Sequence, residues 1–75
     1  MSLTIAELRK RVSALRGVET RRENERAAVY AGSYAGSGYR VDADRACGQA
    51  TAKRAAAESE LERAEAQLAE DIAAN

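Results

Sequence analysis

The sequence predicts an all-α protein, an antiparallel two-helix hairpin with a coiled-coil-like, Ala-rich seam, and three observations carry that prediction. Apolar residues recur at spacings of three and four over residues 5–15 and again over 43–68, no proline interrupts either half, and the halves carry opposite charge around a stretch of Gly, Ser and Tyr. The 75 residues read as one domain: a helix over 4–31, a Gly/Ser/Tyr connector over 32–41 and a helix over 42–74.

The first helix has the clearest beginning. Thr4 followed by Glu7 forms a capping box, in which hydroxyl and carboxylate each satisfy a backbone N–H that the first turn leaves without a partner. Ile5, Leu8, Val12 and Leu15 then line one face. Gly17 costs about 1 kcal/mol relative to Ala inside a helix. The residues that follow are helix formers or neutral, so continuation to about residue 31 is expected.

The connector YAGSYAGSGYR holds all three aromatic residues, Tyr30, Tyr34 and Tyr39, among the three glycines Gly32, Gly36 and Gly38. Two roles compete for the tyrosines. Packed on Val41 and Ala43 they would cover the hairpin tip; exposed, they would be binding anchors, because Tyr offers a large contact area and a hydroxyl at low entropic cost. A short β-hairpin with Tyr39, Arg40 and Val41 in its return strand is a third arrangement. A phosphate loop is disfavoured, since no GK[ST] follows the glycines.

Asp42 and Asp44 are both good N-caps for the second helix. Ala43, Cys47, Ala50, Arg54, Ala57, Leu61, Ala64 and Leu68 step by four and three, a seam with one charged intruder, Arg54. Alanine lets the backbones approach closely while burying little area per layer.

Charge sets the pairing. Through residue 54 there are 11 Lys and Arg against 6 Asp and Glu, leaving +5; from residue 55 onward the balance is −5. Folding the chain back near residue 36 makes neighbours of residues whose numbers sum to about 73: Ile5 with Leu68, Val12 with Leu61, Leu15 with Ala57 or Glu58, Val29 with Ala43, and Glu19 with Arg54. The basic first helix then lies beside the acidic last turns. With only four Val, two Ile and five Leu the core is thin. A homo-oligomer or larger helical bundle is expected.

Composition excludes several function classes. There is no His and one cysteine, Cys47, so no disulfide framework, zinc cluster or His-based acid–base pair is predicted, and neither a metal nor a cofactor is expected. Cys47 reads as a packed thiol, and Glu58, Glu62 and Glu65 as a solvated outer face. No apolar run spans a bilayer and no signal peptide is indicated, so no membrane association and a cytoplasmic location are expected.

What remains is a non-enzymatic protein-binding module, an adaptor or steric inhibitor contacting another protein through Tyr30, Tyr34, Tyr39 and Arg40. The alternative is a nucleic-acid-associated protein using Arg9, Lys10, Arg11, Arg16, Arg21, Arg22 and Arg26, since phosphate neutralisation needs clustered cations. The zero net charge of the chain weighs against that alternative. In outline alone, helix, Gly/Tyr connector and helix, the chain resembles small phage proteins such as head–tail joining proteins and defence inhibitors; no motif accompanies the outline and no residue role is carried over.

Overall fold

The computed structural model describes residues 3–33 and 37–74, apart from the side chains of residues 33 and 37. Helix α1 runs over Ile5–Ala28, passes into a single π turn over Val29–Ser33, and is followed by helix α2 over Ser37–Ala74. The two helices pack against each other as an antiparallel hairpin with extents of 61 × 20 × 15 Å.

The capping box at the start of α1 forms as the sequence requires. The Glu7 backbone N–H donates to Thr4 Oγ1 at 3.2 Å, and the Thr4 N–H donates to Glu7 Oε1 at 3.1 Å. The Glu7 carboxyl is held below its ordinary range, chiefly by the Thr4 backbone donor and then by the Thr4 side chain.

Gly17 lies inside α1, so the helix passes through it. A methyl group added there, or at Gly48 in α2, would meet nothing within 4 Å. Both glycines therefore carry the backbone entropy penalty with no packing reason for it. Gly17→Ala and Gly48→Ala are each expected to stabilise the hairpin by about 1 kcal/mol, raising the melting temperature by about 4–8 °C per substitution. Thermal melts followed by circular dichroism check this, and an unchanged or lower midpoint contradicts it.

Gly32 is different. Its φ of 92° lies in the left-handed region and closes the π turn, where a side chain would be strained. The reversal thus begins at Gly32.

The second helix starts earlier than the sequence suggests. It begins at Ser37, not at Asp42, so Tyr39, Arg40 and Val41 are helical and belong neither to a connector nor to a return strand. Asp44, read as a cap, sits two turns inside the helix. Tyr34 lies outside the described residues.

Long-range pairs confirm the register. Arg54 meets Glu19, Arg16 meets Glu58 and Arg26 meets Asp44, and each pair of numbers sums to between 70 and 74. The core consists of Leu8, Val12, Val29, Ala50 and Ala57. Ile5, Leu15, Ala43, Leu61 and Ala64 are half-buried. Leu68, placed by its spacing on the seam, is exposed: α2, at 38 residues about 57 Å long, outruns α1, so Leu68 lies level with the first turn of α1 and Ile72 beyond it.

Candidate functional site: the latched hairpin tip

Two polar clusters hold the helices in register, and they differ in what they leave accessible. The central one is a chain of four residues. Arg54 Nε and Nη2 donate to the two oxygens of Glu19 at 3.1 and 3.0 Å, a bidentate fork, while its Nη1 donates to Glu58 Oε2 at 3.1 Å. Arg16 donates through Nε and Nη2 to Glu58 Oε1 at 2.9 and 2.7 Å. Arg54 pushes the Glu19 carboxyl below its ordinary range, with Thr51 assisting, and Arg16 does the same to Glu58. The pairing of Glu19 with Arg54 follows from the sequence; the part played by Glu58 does not. Read there as a solvated acid, Glu58 is half-buried between two arginines.

The second cluster sits at the tip and uses two of the predicted partner-binding residues. Arg26 in the last turn of α1 and Tyr30 in the π turn that follows stand four residues apart, as do Arg40 and Asp44 on α2, the spacing at which helical side chains share a face. Asp44 joins them: its Oδ2 accepts from the Tyr30 hydroxyl at 2.7 Å and its Oδ1 from Arg26 Nε at 2.6 Å. The guanidinium carbons of Arg26 and Arg40 lie 5.2 and 5.4 Å from the centre of the Tyr30 ring, cation–π distances. The Asp44 carboxyl is lowered, first by the Tyr30 hydroxyl and then by Arg26; the Tyr30 phenol is raised, chiefly by that same bond. Tyr30 is therefore held by polar contacts across the hairpin. Tyr30 and Val41 are both exposed.

Tyr39 occupies a different position. It lies in the first turn of α2, 57% exposed, beside an open cleft of about 370 Å³ that it lines together with Glu25, Ala28 and Val29. Val41, two residues on, is 52% exposed. The tip thus presents an aromatic ring next to an apolar floor, with Tyr30 locked alongside and Val41 exposed elsewhere on α2.

The predicted basic face is divided. Arg11 lies 3.8 Å from Glu60, Arg16 bonds Glu58, Arg22 bonds Glu25 and Arg26 bonds Asp44. Among the described residues Arg9, Lys10 and Arg21 form no ion pair. Cys47 is a free, half-buried thiol, and the described residues hold no group of three or more His, Cys, Asp or Glu arranged for a metal. None of the described helices is long and apolar enough to cross a membrane.

Sequence reasoning named Tyr30, Arg26 and Arg40 but missed Asp44, which joins Tyr30 to Arg26. A signal was present, since Asp44 stands four residues after Arg40 just as Tyr30 stands four after Arg26. It becomes informative only once residues 37–41 are known to be helical.

Fold and site define a class: an antiparallel helical hairpin whose tip carries a polar latch and an exposed tyrosine. No protein family, curated protein or solved structure matches the chain.

Proposed function

We propose that this protein is a non-enzymatic protein-binding module, an adaptor or steric inhibitor that contacts its partner through the hairpin tip. The exposure of Tyr39 beside the cleft floored by Ala28 and Val29 carries the reading. An interface needs a large side chain that can be desolvated next to a rigid neighbour, and Tyr is enriched at such points. The Asp44 latch supports it further, because Tyr30 is already held in place and need not lose that freedom on binding. The absence of His from the chain supports the non-enzymatic part of the proposal. The four first-helix cations engaged within the hairpin weigh against the nucleic-acid alternative.

The test begins with benzoylphenylalanine placed at position 39 and, as a control, at the exposed Ala56, with photo-crosslinking in cells of the native host. A protein captured from 39 and not from 56 is then purified and titrated. Tyr39→Ala is expected to leave helicity and melting temperature within a few degrees of the parent. Affinity for the partner should fall about 30-fold, or 2 kcal/mol, the size of an interface hot spot. A binding curve unchanged by the substitution, or no capture from position 39, overturns the reading. Titration with salt in the presence of DNA addresses the alternative, which requires a steep loss of affinity as salt rises.

A further inference from the structure

Among the described residues the hairpin exposes more large apolar side chains than it buries, and its charge is distributed lengthwise. Among the described residues three large apolar side chains are buried, Leu8, Val12 and Val29, while six are exposed, including Leu68 and Ile72 at the open end, the latter 67% exposed. The chain exposes 5637 Å². A compact monomer of 8.0 kDa exposes about 4,450 Å², so the excess is roughly 1,200 Å² per chain. Covering that excess on two chains would bury about 2,400 Å² in total, within the range of stable homodimers.

The charges indicate how two copies would lie. Residues 19–54, the tip half, hold seven Lys and Arg against five Asp and Glu, a balance of +2; the open half, residues 1–18 and 55–75, holds −2. Antiparallel alignment of two such molecules brings the acidic open end of each beside the more basic tip half of the other. A receiving surface exists where the two halves meet. A groove between the helices is lined by Leu15, Val18, Ala46 and Ala50, with Arg22 and Lys53 at its rim. Lys53 forms no ion pair among the described residues. At the other end, Glu65 and Glu70 form none either, and Asp71 only accepts from Gln67 Nε2 at 2.9 Å.

We propose that two copies of the chain associate antiparallel, the open end of each seating Leu68 and Ile72 against the groove of the other, with Glu70 and Asp71 facing Lys53. The exchange is reciprocal, so the pair closes on itself and does not grow into a filament. The interface uses residues other than Tyr39 and Val41, so this inference and the partner-binding reading stand or fall separately.

Sedimentation of the full chain at micromolar concentration is expected to give twice the 8.0 kDa chain mass. Zero-length carbodiimide crosslinking provides the geometry. Within one chain Lys53 and Glu70 lie on the same helix about 26 Å apart, so a Lys53–Glu70 or Lys53–Asp71 product can arise only between copies and should appear only in the dimer band. Lys10, which the register sets beside the acidic turns of its own chain, reports that the reagent works. Ile72→Ser and Lys53→Glu, both at exposed positions, should leave helicity unchanged and weaken dimerisation by at least about tenfold each. Adding Glu70→Lys to Lys53→Glu should restore much of the loss. A monomer at every concentration tested overturns the proposal, and so does a dimer that lacks the Lys53 products or is indifferent to Ile72→Ser.

Discussion

Leu8→Ala is expected to lower the melting temperature by at least about 10 °C and, in a mildly destabilised background, to abolish the cooperative transition. Leu8 is 3% exposed and Val12, one turn on, 4%; with Val29 they are the large side chains that the hairpin buries. Truncating a buried Leu to Ala generally costs about 2–5 kcal/mol, because the transfer energy of the lost atoms is joined by that of the cavity. A domain of this length has only about 4–11 kcal/mol of total stability, and each kcal/mol shifts the midpoint of a small domain by about 4–8 °C. Val41→Ala is the control: exposed on α2, it should change the midpoint by no more than a few degrees. Equal effects from the two substitutions would mean that the core is not where the structure places it.

Arg54→Met should cause the largest loss of stability among the charged positions, and the loss should shrink on acidification. Arg54 is the hub that separates the carboxylates of Glu19 and Glu58, and the Glu19 side chain is only 14% exposed. Removing the hub leaves two neighbouring carboxylates, one of them largely withdrawn from water, without their shared cation. That is the costly way to break an ion pair. The pH dependence follows from the lowered carboxyl groups of Glu19, Glu58 and Asp44. A group whose folded pKa lies below its unfolded value contributes stability that is present above the unfolded value, about 4, and is lost as pH falls through the folded one. The parent should therefore lose stability on acidification below that value. In Arg54→Met the pair is already gone, and protonating Glu19 relieves its half-buried, unpaired charge, so the gap between parent and variant narrows. Replacing both partners, Glu19→Leu with Arg54→Met, should recover most of the loss, because two apolar groups need no counter-ion. Melts from pH 7 to pH 3 read all three proteins. A gap that stays constant over that range would show that Glu19 and Glu58 are not held by Arg54.

The sequence by itself determined the two helices, their antiparallel sense and their register. These rest on local and long-wavelength signals: the Thr4–Glu7 box, the stripe from Ile5 to Leu15, the seam from Ala43 to Leu68, and the opposite charge of the two halves. Glu19 and Arg54 stand out in the linear pattern because each interrupts an apolar stripe, and a charge at such a place needs its counterpart. The tip and the open end were decided only by the tertiary structure. Ser, Gly, Tyr, Arg and Val at 37–41 have no marked preference for helix, yet helical geometry there places Arg40 one turn before Asp44, and both then engage Tyr30 across the hairpin. That gain comes from side chains of another element and leaves no local signature. The same holds for Leu68, whose spacing assigns it to the seam. Whether a seam position is buried depends on how much of a facing helix is present, and Leu68 stands opposite only the first turn of α1, with Ile72 beyond it.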